Sequence, residues 1–293
     1  MKKILVNSFI AIFAIMFVAV SCKEENDDDD NNNNLDSVYT DNSVTLVSNS
    51  MTSDDVYYGA VTSVISNAEN SGNKTTCPTV TLEPSDLTTY PKTLTLDFGT
   101  SGCEFGEITI SGKIIASLSG KIRENGTTVS ITFDNYTVDT ITVGGTLSLT
   151  VQDVSLLEST VTLIDSVKNG VLTVPSGTMS LTTNQTIKWN YNTLTDYFDD
   201  EFEISNAATN ATTLDESSYS TEIVEPIIIK GCSGIYQAVQ GVYEISTSEL
   251  TNPVSIDFGE GTCDNTATVS TEVSVTYGNQ TFTQDYSYEI PLP

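Results

Sequence analysis

The segments VSITF (129–133), LSLTV (147–151) and IKWNY (187–191) place an apolar side chain at every second position. A period of two is the signature of a pleated strand with one face buried, and the Thr, Val and Ile between and around these segments suit a half-buried sheet better than a helix. The same alternation recurs from about Thr75 to the C-terminal end. Glycine-bearing turn signals punctuate it at Asn125-Gly126, Gly144-Gly145, Asn169-Gly170, Ser176-Gly177 and Gly278-Asn279. Their spacing makes most connections hairpins, and consecutive hairpins make an antiparallel meander. The predicted fold is therefore all-β: an antiparallel β meander folded as a sandwich or a strongly curved sheet, with at most one short N-terminal helix. That helix is expected where Asp54-Asp55 leads into Val56 to Asn67, because acidic residues suit a first helical turn.

One corner of the sheet occurs twice. Leu94-Thr95-Leu96-Asp97-Phe98-Gly99 with Cys103 is echoed by Val254-Ser255-Ile256-Asp257-Phe258-Gly259 with Cys263, and an earlier cysteine precedes each, Cys77 and Cys232. The Asp-Phe-Gly triplets stand without a glycine-rich phosphate loop or a catalytic-loop motif, so a kinase reading falls away. The expected role is structural: a strand ends with phenylalanine packed inward and glycine turns the chain toward the cysteine. Four cysteines allow three connectivities, and in an exported chain the sequential one, Cys77 to Cys103 and Cys232 to Cys263, is the expected disulfide pattern. Redox or zinc chemistry would want closer ligand spacing.

Residues 1–21 combine Lys2 and Lys3 with an almost unbroken apolar run from Ile4 to Val20, the plan of a secretory signal peptide. Ala19-Val20-Ser21-Cys22 resembles a bacterial lipobox, in which cleavage precedes the cysteine and its thiol carries diacylglycerol. Each buried methylene contributes about 0.8 kcal/mol, so several acyl chains at Cys22 form a durable membrane anchor. Residues 22–52 are read as the lipidated cysteine and an acidic tether. Lys23 to Asn34 carries the run Asp27 to Asp30 and has nothing apolar to bury. Its order, one lysine and then acidic residues, resembles the export signal that sends Bacteroidota lipoproteins to the outer face of the outer membrane. A first β lobe is placed at 53–174 and a second at 175–293, either separate or continuous with the first.

The 293 residues carry 11 Lys+Arg against 39 Asp+Glu, a formal charge of -28, and no histidine. A field of that sign repels nucleic acid and excludes it as a partner. Without histidine, Ser-His-Asp and Cys-His catalysis and histidine-ligated metals are excluded as well. Carboxylate chemistry survives, and the densest acidic and aromatic cluster is Asp196, Asp199, Asp200, Glu201 and Glu203 beside Trp189, Tyr191, Tyr197 and Phe198. Two carboxylates beside a sugar cleft would serve a glycoside hydrolase, while Trp189, Tyr191 and Tyr197 would form a glycan platform. The same pattern is also that of a strand core closed by a solvated acidic turn, so no catalytic residue, cofactor or metal ligand is assigned. None of the acidic runs has the alternating ligand spacing of a calcium loop. Asp36-Ser37-Val38, Asp139-Thr140-Ile141 and Asp165-Ser166-Val167 resemble a short bacterial O-glycosylation pattern.

Tyr90 to Gly99 and Cys103, Gly112-Lys113-Ile114, Thr132 to Tyr136, Gly145-Thr146, Asp200 to Ile204, Glu225-Pro226, Gly231-Cys232 and Ile256 to Asn265 together resemble uncharacterised surface-exposed lipoproteins of Bacteroidota. The two cysteine-bearing corners are the most specific part of that likeness. It implies an outer-membrane, lipid-anchored location facing the exterior and an all-β body, and it carries no activity. The expected function is a surface-anchored, non-enzymatic binding or shielding module, with the membrane as partner through the lipid and a glycan or surface protein as ligand. The alternative is a glycan-binding or carbohydrate-active protein built on the aromatic cluster.

Overall fold

A computed structural model describes residues 33–68, 77–86, 88–105, 108–191, 200–212, 217–232, 235–248, 250–277 and 280–292. The signal peptide, Cys22 and the Asp27 to Asp30 run lie outside the described residues, as do Asp196, Tyr197, Phe198, Asp199 and Gly278-Asn279. Among the described residues, one helix, α1 (Asn33–Ala68), precedes thirteen strands. These are β1 (Thr79–Glu83), β2 (Lys92–Phe105), β3 (Ile108–Leu118), β4 (Thr128–Val138), β5 (Ile141–Ser155), β6 (Thr160–Val174) and β7 (Gly177–Asn190). They continue as β8 (Glu201–Thr212), β9 (Ser218–Cys232), β10 (Ile235–Thr247), β11 (Val254–Glu260), β12 (Thr266–Tyr277) and β13 (Gln280–Pro291). All belong to one sheet in chain order, with β1 and β13 at its edges, and every neighbouring pair is antiparallel. The meander is thus a single strongly curved sheet rather than a sandwich. It runs unbroken through the expected lobe boundary, where Val174 pairs with Gly177 across the β6–β7 turn.

The sheet curves because α1 lies inside it. Every residue from Val56 to Ser66 is buried, although successive helical residues point about 100° apart, so the strands must reach the helix from all sides. Tyr57 packs edge-on against Phe133 of β4, while its neighbour Tyr58 packs edge-on against Phe202 of β8. Farther round, Ser53 meets Tyr219 of β9 and Ser50 meets Tyr243 of β10. The sequence of α1 is rich in Ser, Thr, Val and Tyr, poor helix formers by propensity. Its stability comes from this enclosure and from hydroxyls that bond back one turn, Ser53 to the Ser50 carbonyl and Thr62 to those of Tyr58 and Gly59. No helix among the described residues is long and apolar enough to cross a membrane.

The helix is longer than the segment expected from Val56 to Asn67, and it occupies residues 33–52 of the expected tether. Leu46, Val47, Ser50 and Ser53 explain this: they recur at helical spacing and are all buried, so the packed face begins more than two turns before Val56. Asp54 and Asp55 consequently stand inside the helix rather than in its first turn.

Two of the expected turns are not turns. Gly144-Gly145 lies within β5 and Asn169-Gly170 within β6, each at an interruption of the ladder. Gly145 has φ +97°, and a Cβ there would sit 2.5 Å from the Asn169 carbonyl oxygen. Only glycine permits that approach. The interruption frees a carbonyl and an amide, and the buried Tyr57 hydroxyl takes both. It donates to the Gly144 oxygen at 2.7 Å and accepts from the Val171 amide at 3.0 Å. Tyr57→Phe leaves both backbone groups unpaired, and its expected cost is about 1–3 kcal/mol, measurable as a lower urea midpoint with unchanged slope.

The repeated corners keep their inward phenylalanines, Phe98 and Phe258, both buried. In each, the aspartate two residues before the glycine accepts its amide, Asp97 from Gly99 at 2.9 Å and Asp257 from Gly259 at 2.8 Å. Gly99 does not end its strand, however; β2 continues through an irregularity to Phe105. Both expected disulfides are present, Cys77–Cys103 and Cys232–Cys263, with Cα atoms 5.8 and 5.7 Å apart. Closing loops of this length contributes roughly 3.5 kcal/mol each in the chain-entropy treatment. The first ties the segment just before edge strand β1 to β2, and the second ties the end of β9 to the segment after β11.

Candidate functional site

Trp189, Tyr191 and Tyr197 do not form a described open platform. Trp189 is fully buried and Tyr191 is 7% exposed; Tyr197 lies outside the described residues. The indole Nε1–H donates to Asp200 Oδ2 at 2.7 Å, and the ring stacks on Phe202 with centroids 6.4 Å apart. The Arg123 guanidinium lies 4.8 Å from the Trp189 ring centroid and 4.3 Å from that of Tyr191. These faces are therefore spent on the protein's own core, and a sugar could not stack on them. Asp200 belongs to the same core. The other described acids, Glu201 and Glu203, flank the inward Phe202 on β8.

A different site lies between α1 and β7 to β11. A cavity of about 100 Å³ is walled by Ile204, Ala207 and Thr209 of β8, Thr221, Ile223, Ile227 and Ile229 of β9, Ala238 and Tyr243 of β10, and Phe258 of β11. Gln185 of β7 adds one amide to the wall. The helix closes it with Met51, Asp54, Asp55 and Tyr58. Most of the wall is aliphatic because alternate residues of β8 to β10 face inward, and β9 supplies the isoleucines. The two aspartates are the exception.

Asp54 accepts a hydrogen bond from the Tyr243 hydroxyl at 3.1 Å, and that hydroxyl also contacts Ser50. Burial raises the Asp54 pKa to about 7, against the Tyr243 hydrogen bond, and the charge of Asp165 adds to the rise. Burial likewise pushes Asp55 well up, with the Asp54 charge contributing. Both residues are half-buried and line the cavity. Behind Gln185, on β6, Asp165 is 1% exposed. Its Oδ2 accepts from Gln185 Nε2 at 2.7 Å, while its Oδ1 has no hydrogen-bond partner. Burial raises its pKa to about 6, opposed by the Gln185 amide and the Ser166 backbone. The ion pairs found among the described residues, Lys92–Asp86 and Lys113–Asp97, involve none of these three carboxyls.

The sequence hides this site because an Asp-Asp pair suits the first turn of a helix as well as its interior. The available signal was spacing: Leu46, Val47, Ser50, Met51, Asp54, Tyr57, Tyr58 and Val61 follow the three- and four-residue steps of one helical face, which puts Asp54 within an otherwise largely apolar stripe. Among the described residues no group of three or more Cys, Asp or Glu side chains is arranged to hold a metal ion. Of the three glycosylation-like tripeptides, Asp139-Thr140 forms the exposed β4–β5 turn, Asp165 faces the interior, and Asp36-Ser37-Val38 lies in α1. No protein-family model, no curated protein and no solved structure matches the chain.

Proposed function

We propose that the protein is an extracytoplasmic binding module without enzymatic activity, acylated at Cys22 and held at the outer membrane facing the exterior, that receives a small ligand in the cavity between α1 and the sheet. The observation that carries the binding role is the cavity itself: an aliphatic wall with a few convergent polar groups is the usual make-up of a small-molecule site. The sequence of residues 1–34 supports the anchor, and the acidic field of the whole chain disfavours anionic partners.

Titration of the purified protein with n-butanol, followed by the methyl resonances of isoleucine, tests the cavity. Ile204, Ile227 and Ile229 should shift together and saturably while the remote core residue Ile131 does not, and Ala238→Phe should abolish the response by filling the space. Uniform shifts, or none, overturn the binding role. The anchor has its own test. Cys22→Ser should release the protein from the membrane fraction, and retention there would refute acylation as the attachment.

A further inference from the structure

Among the described residues, two carboxyl groups and no lysine or arginine line the cavity. Asp54 and Asp55 line it, Asp165 stands behind Gln185, and none of the three is ion-paired by a lysine or arginine among the described residues. One polar group of its wall also has no hydrogen-bond partner: the hydroxyl of Tyr58, only 9% exposed. Burying a carboxylate without a counter-charge is costly, and a cation that supplies N–H donors removes that cost. A carboxylate or phosphate ligand would instead bring its charge to a site whose described wall offers no cation. A wholly apolar ligand would leave the carboxyls as they are.

Building on the proposed binding role, we infer that the cavity takes the ammonium end of an alkylamine, with the –NH₃⁺ group at the Asp54 and Asp55 carboxyls that line it and the first methylenes against Ile204, Ile227 and Ile229. About 100 Å³ is the volume of roughly three waters, which fits a short alkyl chain or the terminal segment of a longer amine. Three N–H donors match the acceptors present. The net charge of -28 also raises the local concentration of cations around the molecule.

Isothermal titration of the purified protein at neutral pH with n-butylammonium, n-butanol and butyrate tests this. The ammonium should bind at least tenfold tighter than the alcohol, and butyrate should bind more weakly than either. Asp54→Asn combined with Asp55→Asn should bring the ammonium down to the level of the alcohol while leaving the alcohol unchanged, which also shows that the variant keeps its fold. If the single substitution Asp55→Asn is needed for a folded sample, a loss of ammonium preference is still expected. Equal affinity for ammonium and alcohol would overturn the ligand class and leave the cavity as a binding site. Binding of neither would overturn both.

Discussion

Trp189→Ala is expected to destabilise the protein by about 3–5 kcal/mol, the range for truncating a fully buried aromatic side chain. The substitution removes a 0% exposed indole, deprives Asp200 of its Nε1–H donor at 2.7 Å, and strips the Arg123 guanidinium of the aromatic ring it shares with Tyr191. Because Trp189 is the single tryptophan of the chain, urea unfolding of wild type and variant is best compared by circular dichroism. In the wild type, its fluorescence should be blue-shifted and poorly quenched by acrylamide. Trp189→Phe should recover part of the loss by preserving a ring against Phe202. On an exposed sugar platform the same truncation would change stability by only ~0.5 kcal/mol, so a loss smaller than about 1 kcal/mol would contradict the buried arrangement.

That contrast shows where the sequence was readable. Alternation at 129–133, 147–151 and 187–191 identifies strands because one face of each is buried, and the structure places Val129, Ile131, Leu147, Leu149, Ile187 and Trp189 in the core. Periodicity states that Trp189 shares a face with Ile187, but not whether that face meets a core or a groove. Arg123 and Phe202 settle this, and both come from other parts of the chain. The cysteine pairs were legible because each falls at a repeated corner. Gly144-Gly145 and Asn169-Gly170 resemble turns in sequence because a bulge and a hairpin ask for the same positive φ; only the Tyr57 hydroxyl and the long strand partners distinguish them. The enclosure of α1 was hidden for a related reason. A helix rich in Ser, Thr and Tyr does not look like a core helix until its hydroxyls are matched with Tyr219, Tyr243 and the broken ladder of β5 and β6.

The raised carboxyls of Asp54 and Asp165 have the other large consequence, a stability that falls as pH rises. Asp54 has its pKa raised from 3.8 to about 7 and Asp165 from 3.8 to about 6. The folded state therefore holds protons that the unfolded chain has released. Their contribution is fully present below about pH 4 and is lost as pH rises through about 6 and then about 7. At ~1.4 kcal/mol per unit of pKa difference, Asp54 alone accounts for on the order of 4 kcal/mol. The groups facing it are Asp55 on the same helix, Asp165 on β6, Tyr219 on β9 and Tyr243 on β10. Burial keeps both tyrosines neutral throughout this range. Exposed carboxyls such as Asp97 and Asp264 have lowered pKa values and act in the opposite sense, but below about pH 4.

Asp54→Asn should therefore flatten the upper part of the profile. It should stabilise the protein by ~2–4 kcal/mol near pH 8 while changing little near pH 4, as read from urea midpoints across the range. Measurements at high salt separate this from surface repulsion, which is screened, whereas the buried group's share persists. An unchanged slope between about pH 5 and 7.5 would rule out Asp54 as its source. The proposed ligand makes the result more than a stability effect. If an ammonium group is held at the Asp54 and Asp55 carboxyls, the substitution that strengthens the empty protein also removes its preference for that ligand, and in the wild type the ligand should restore stability above pH 7 by an amount that grows with the logarithm of its concentration above Kd. A site that weakens its own fold at neutral pH and is stabilised by its ligand is the kind of trade between stability and activity expected where charge is retained for binding rather than for packing.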